Sequence, residues 1–128
     1  MSTSEAKTPA PMTAGQRVWI LLNRVKADKR EQFERFNRDI LWPAIQQGDA
    51  TRQQTGRQTR VLHPTDVNED GTYTYVYLID PVVEGADYDI EKLLKQHLGE
   101  EQGARTFQLF TECFDRPQEG YSLIEANI

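Results

Sequence analysis

The alternation of apolar and polar residues first picks out a strand near the N-terminus, Arg17 to Val25 (RVWILLNRV). Its apolar side chains form two alternating stripes: Val18, Ile20 and Leu22 on one side, and Trp19, Leu21 and Val25 on the other. A strand that is apolar on both faces is typical of one that is covered on both sides. The pattern therefore predicts a central strand.

A helix is predicted to follow this strand. Its apolar residues, spaced by three and four positions, are Phe33, Phe36, Ile40 and Ala44. Asp28 is the predicted N-cap, and Gly48 is the predicted end of the helix. Because Pro43 removes a backbone donor and clashes with the preceding turn, we expect the helix to kink or restart near Trp42.

A hairpin is predicted next. Residues 54–64 (QTGRQTRVLHP) resemble a moderately polar strand bounded by Gly56 and Pro64, and the turn-rich VNEDG follows. The second strand, residues 72–80 (TYTYVYLID), alternates cleanly, with Tyr73, Tyr75, Tyr77 and Ile79 on one face and Thr74, Val76 and Leu78 on the other. Pro81 ends it.

Two short helices, or one broken helix, are predicted over residues 88–98 and 103–114, and a final strand over 121–124. Cys113 lies near Phe110 and Phe114 at helical spacing, which favours a buried, unreactive thiol. The resulting order, βαββαβ, is that of an α+β, ferredoxin-like sandwich with an antiparallel sheet. Helices cover only one face of such a sheet, and both stripes of the first strand are apolar. We therefore predict a homodimer that packs open sheet face against open sheet face.

Length and composition fit one domain. The chain has 128 residues and a net charge of −5. Residues 1–15 are polar and contain prolines, which predicts a mobile tail before a domain at 16–128. The sequence has neither a long apolar run nor a signal-peptide pattern, so a cytoplasmic protein without a membrane span is expected. The acidic balance disfavours nucleic acid as a partner.

The candidate chemistry is sparse. His63, at the end of a predicted strand, has a side chain suited to proton transfer near neutral pH, although a plain hairpin-end histidine fits the pattern too. The tyrosine stripe that includes Tyr75 and Tyr77 fits either a dimer interface or the wall of an aromatic-ligand pocket. Neither His63 nor His97 has a partner at metal-ligand spacing, so no metal site is predicted.

RVWILLNRVKADKREQFERF, followed by TYTYVYLIDP, resembles the dimeric α+β barrel superfamily, which includes antibiotic-biosynthesis-monooxygenase-like proteins. The resemblance implies a barrel of two sheets that holds a small apolar or aromatic ligand. Some members are cofactor-independent monooxygenases and others degrade haem. Asn23 is similar in position to a functional asparagine of the haem-degrading members. YVYLIDP, however, lacks their tryptophan, and His97 matches their haem-ligating histidine only loosely.

The sequence thus predicts a homodimeric protein that binds a small apolar or aromatic molecule. The resemblance adds the hypothesis that it is a cofactor-independent monooxygenase acting on an aromatic or quinol-like substrate. The predicted catalytic residues are His63 and Asn23. The predicted substrate-binding residues are Tyr75, Tyr77, Trp19 and Arg60. No cofactor is predicted. The alternatives are a non-catalytic dimeric ligand-binding or structural module, and a haem-binding or haem-degrading protein.

Overall fold

The computed structural model describes residues 16–126, and their four strands form one antiparallel sheet. The strands are β1 (Arg17–Val25), β2 (Thr59–Leu62), β3 (Tyr73–Ile79) and β4 (Glu119–Ile124). They lie in the order β2-β3-β1-β4. With helices between β1 and β2 and between β3 and β4, this is the ferredoxin-like arrangement, so the predicted α+β fold is confirmed. The tail predicted at residues 1–15 lies outside the described residues.

The helices form two groups along the chain. The first group consists of a 3-10 turn (Ala27–Lys29), α1 (Arg30–Phe36), a π-helical turn (Asn37–Leu41), α2 (Trp42–Gln46) and α3 (Ala50–Arg57). The second group consists of α4 (Ile90–Leu98) and α5 (Glu100–Thr111), which are separate helices because Gly99 between them has φ +94°. The predicted restart near Trp42 is confirmed, since α2 begins there with a proline in its first turn.

Two local predictions are wrong. Asp28 lies inside the 3-10 turn, and no side-chain cap is formed at the start of that turn or of α1. The strand predicted from residue 54 begins only at Thr59, because residues 54–57 complete α3. Asp49 starts α3 by accepting a hydrogen bond from the backbone N–H of Arg52 at 2.9 Å, which the sequence reading overlooked.

The core lies between the helices and one face of the sheet. Phe33 is fully buried, and its ring contacts those of Tyr75, Tyr77 and Phe110, with centroids 4.9, 6.1 and 6.2 Å away. The tyrosine stripe of β3 therefore faces the helices, which excludes the first of its two alternatives, the dimer interface. Strand alternation defines two faces, but it does not show which of them the helices cover.

The opposite face of the sheet carries the other stripe. We use the term open face for the side chains of Ile20, Leu22, Leu62, Val76, Leu78, Tyr121 and Leu123. The strand register places Ile20 between Leu78 and Tyr121. Leu62, Tyr121 and Leu123 are each exposed by 45 to 49%. None of the helices in residues 16–126 has the length and hydropathy needed to cross a bilayer.

Cys113 is predicted to be unreactive in the native protein. Its thiol is fully buried and donates to the carbonyl oxygen of Leu109 at 3.3 Å, and burial raises its pKa. A raised pKa lowers the fraction of thiolate, which is the reacting species, at any pH below that value. We expect no labelling by a chromogenic disulfide reagent at pH 8 until denaturant is added. Rapid labelling of the folded protein would contradict this placement.

Candidate functional site

A cavity of about 380 Å³ lies between the inner face of the sheet and the first group of helices, and it extends towards α4. Its walls are mainly apolar and include Leu21, Leu41, Ile45, Val61, Ile79 and Leu93. The strand residues are odd-numbered because alternate side chains share a face. Leu41 and Ile45 are spaced as one helical face requires. The volume is within the range of small-molecule pockets.

The cavity also has polar walls, and in addition to the cluster around Glu34 it is lined by Arg38, Arg52, Asp87 and Asp89. Glu34 of α1 and His63, just after β2, both line it, with His63 Nδ1 at 3.9 Å from Glu34 Oε2. Tyr75 lies behind this pair and donates its hydroxyl hydrogen to Glu34 Oε2. Arg30 Nε donates to the Tyr75 hydroxyl oxygen at 2.9 Å. We call these four residues, Glu34, His63, Tyr75 and Arg30, the polar end.

The hydrogen bonds of the polar end leave an acceptor free. Both contacts of Glu34 use Oε2, and within residues 16–126 no donor is bonded to Oε1. Burial and the hydrogen bond to Glu34 raise the pKa of the Tyr75 hydroxyl, so Tyr75 remains a donor at neutral pH. The side chains of His63 and Glu34 are 54% and 36% exposed, so protons can exchange with solvent there. The arrangement can accept a proton or hydrogen bond from a ligand hydroxyl.

Tyr77 also lines the cavity. Its hydroxyl donates to Asn37 Oδ1 at 2.5 Å, and Asn37 also lines the cavity. Burial raises the pKa of the Tyr77 hydroxyl, which therefore stays protonated. Tyr77 thus orients the carboxamide of Asn37.

Trp19 lies beside the cavity without lining it. Its ring packs against that of Tyr88 at a centroid distance of 5.0 Å, and Tyr88 is a wall residue. The Tyr88 hydroxyl accepts a hydrogen bond from the backbone N–H of Val83 at 2.9 Å. Trp19 thus supports a wall of the cavity from the outside.

Asn23 is not brought to the cavity. Its side chain is fully buried, and Nδ2 donates to the carbonyl oxygens of Tyr75 at 3.2 Å and Leu21 at 3.4 Å. Its Oδ1 accepts from Gln118 Nε2 at 2.7 Å. The polar groups of Asn23 are therefore used to hold β1, β3 and the segment before β4 together. The catalytic role that the sequence predicts for Asn23 has no support in this geometry.

Arg60 points away from the cavity. It is opposite Leu78 in the strand register, which places its side chain on the side of the open face. Its guanidinium group lies 3.7 Å from the carboxylate of Asp80. Arg60 therefore lies on the opposite side of the sheet from His63 and Tyr77, and it does not line the cavity.

Glu34, Asn37 and Arg30 were missed by the sequence reading, which followed only the most apolar stripe of the first helix. A second stripe beside it combines Glu34 and Asn37 with Leu41 and Ile45 at helical spacing. The sequence signal for Glu34 and Asn37 is this helical stripe, which begins with polar side chains and ends with apolar ones.

The described residues that line this cavity do not include a cluster of metal-binding side chains. Within residues 16–126, no three His, Cys, Asp or Glu side chains form a group that could hold a metal ion. His97, the loosely placed haem-ligand candidate, is an exposed residue of α4 that does not line the cavity.

No protein-family model matches the sequence, and no curated protein matches it. Among solved structures, the chain is similar to a crystal structure from Caulobacter crescentus named as that of a "putative antibiotic biosynthesis monooxygenase". The two chains are 13% identical with a TM-score of 0.46, over 89% of this chain and 92% of that chain. At this degree of similarity, the functional proposal rests on the residues of the cavity.

Proposed function

We propose that this protein binds a small, mainly apolar, ring-bearing molecule in the cavity, with a hydroxyl group of the ligand at Glu34. The observation that carries the proposal is a cavity of about 380 Å³ whose walls are mainly apolar and which Glu34 and His63 line together. Apolar walls favour a ring system, whereas an acceptor at one end fixes its orientation. The acceptor is Glu34 Oε1, since Tyr75 already occupies Oε2.

The polar end supports proton removal from a phenol. Glu34 and His63 are two adjacent groups able to take the proton, and Tyr75 positions Glu34 through its hydrogen bond. A phenolate is richer in electrons than the phenol, and it reduces O₂ more readily. In the oxygenation that the family resemblance implies, a phenol and one O₂ give a quinone and one water. The non-catalytic alternative requires only the binding step.

We further propose that the protein acts as a homodimer joined through the open face. Seven apolar side chains, drawn from all four strands, share this face. A contiguous apolar patch of this kind is costly to leave in water, and a two-fold axis would cover it with its own copy. The cavity is on the helix side, so each subunit would keep its own site.

The proposal is tested by titrating 1-naphthol, which is neutral in water at pH 7, into the protein and a Glu34→Gln variant. We expect wild-type protein to bind it with a red-shifted absorption band of the naphtholate type. Glu34→Gln keeps the shape of the side chain but removes its charge, so binding should weaken about tenfold and the shifted band should disappear.

The matched control is Glu31→Gln, which removes the same charge from an 87% exposed side chain in the same helix. It should behave as wild type. Absence of naphthol binding, or equal binding and equal spectra for Glu34→Gln and wild type, would reject the proposed site. An oxygen electrode then separates the two functional classes: O₂ uptake with quinone formation supports an oxygenase, and binding without uptake supports the non-catalytic module.

A further inference from the structure

Asn37 carries an unpaired donor. Its Nδ2 is buried and has no hydrogen-bond partner, a condition shared within residues 16–126 only by Arg24 Nε. The guanidinium group of Arg24 forms an ion pair with Glu119 at 2.9 Å through another of its nitrogens. The amide nitrogen of Asn37 has no hydrogen-bond acceptor among the described residues. A buried donor without an acceptor costs free energy, so such a group needs an explanation.

The orientation of the carboxamide follows from its hydrogen bond. Tyr77 donates its hydroxyl hydrogen to Asn37 Oδ1 at 2.5 Å, so the amide oxygen rather than the nitrogen faces the tyrosine. Nδ2 is therefore held apart from that contact. Asn37 lines the cavity, and no protein atom of residues 16–126 accepts a hydrogen bond from Nδ2, so a ligand in the cavity is the acceptor that this geometry favours.

The backbone around Asn37 is unusual as well. Asn37 begins the π-helical turn, in which the backbone N–H of Trp42 donates to the carbonyl oxygen of Asn37, five residues earlier. Such turns are rare and are often found at functional sites. Asn37 also follows Glu34 by three residues, which puts their Cβ atoms about 5 to 6 Å apart on one helix face.

We propose that Asn37 is a ligand-binding residue whose Nδ2 donates a hydrogen bond to a second acceptor atom of the ligand, about one helical turn from the hydroxyl received by Glu34. This inference rests on the proposed function and adds a requirement to it. Oxygen atoms at opposite ends of one aromatic ring have a suitable separation. Asn37 then selects ligands that carry such an acceptor over ligands of the same shape that lack it.

The test compares two probes that differ by one atom. In 4-methoxy-1-naphthol an ether oxygen stands opposite the hydroxyl, and in 4-ethyl-1-naphthol a methylene group takes its place. Dissociation constants are measured without oxygen, by fluorescence, for wild type, Asn37→Leu and Gln54→Leu. The last variant removes an amide from an exposed position outside the cavity.

We expect wild type and Gln54→Leu to bind the methoxy compound about tenfold more tightly than the ethyl compound. Asn37→Leu should bring the ratio to about one, chiefly by weakening the methoxy complex. A wild-type ratio near one, or a preference that survives in Asn37→Leu, would overturn the assignment while leaving the proposed function intact. If neither compound binds, both proposals fail.

A second measurement is independent of whether Asn37→Leu folds. In ¹⁵N-labelled wild-type protein, the side-chain N–H₂ signals of Asn37 should shift downfield with the methoxy compound and stay near their free positions with the ethyl compound. Equal responses to the two compounds would show that Asn37 Nδ2 does not sense the acceptor, and they would reject the inference.

Discussion

Leu123→Asp is expected to convert the proposed dimer into a monomer. Leu123 belongs to the open face, where it is paired with Val18 and is 47% exposed in the single chain. In the single chain the new carboxylate would be in contact with water, so folding should be little affected. In a two-fold interface the charge would be buried without a partner, and symmetry would place it there twice. We expect the dissociation constant to rise at least about a thousandfold.

Sedimentation velocity at micromolar concentration measures this outcome directly. The matched control is Leu109→Asp, because Leu109 is 46% exposed but belongs to α5, on the helix side. That variant should remain dimeric. A monomeric wild-type protein would contradict the proposed dimer, and a dimeric Leu123→Asp variant would show that another surface joins the subunits. Circular dichroism confirms that each variant is folded.

The two central strands, β1 and β3, were the most predictable part of the fold. β1 and β3 are long and strongly apolar, and period-two alternation determines both their extent and which residues share a face. Alternation does not show which of the two faces of the sheet the helices cover. The helices cover the tyrosine stripe, because the apolar stripe of α1 that contains Phe33 and Phe36 packs against it. The Tyr75→Ala, Tyr77→Ala double variant should therefore damage the core rather than an interface.

The region after the first helix was less predictable. α3 has a polar sequence with few apolar residues, so hydrophobic periodicity gave no helix signal there. Its stability comes from the Asp49 cap and from tertiary contact. An ideal Cβ on Gly56 would lie 2.7 Å from Ile45, so only glycine lets α3 approach that closely. Contacts of this kind are not visible in a local pattern.

The candidate site was predictable only in part. His63 and Tyr77 line the cavity, and both were named from the sequence as strand residues with suitable side chains. Glu34 and Asn37 were missed, because charged and amide residues in a helix are usually solvated and the stripe that they share with Leu41 and Ile45 is only a weak local signal. Their significance comes from Tyr75 and Tyr77, more than 35 residues away, whose hydroxyl groups hold them.

Phe33→Ala is expected to lower the free energy of unfolding by about 3 to 5 kcal/mol, the range typical of a fully buried phenylalanine. The ring lies among four others, those of Tyr75, Tyr77, Phe110 and Phe114, and its removal leaves a cavity that these rigid neighbours cannot fill. Since a domain of this size is stabilised by about 5 to 15 kcal/mol, a large part of its stability would be lost.

Urea unfolding measures the change, and Phe107→Ala serves as the control because the same atoms are removed from a half-buried ring of α5. Phe107→Ala should cost less than half as much, in proportion to the smaller area it buries. Phe33→Ala should also weaken 1-naphthol binding, since Phe33 supports Tyr75 and Tyr77, the two tyrosines that hold Glu34 and Asn37. Equal costs for the two substitutions would place the centre of the core elsewhere. Unchanged 1-naphthol binding by folded Phe33→Ala protein would contradict the link between the packing and the site.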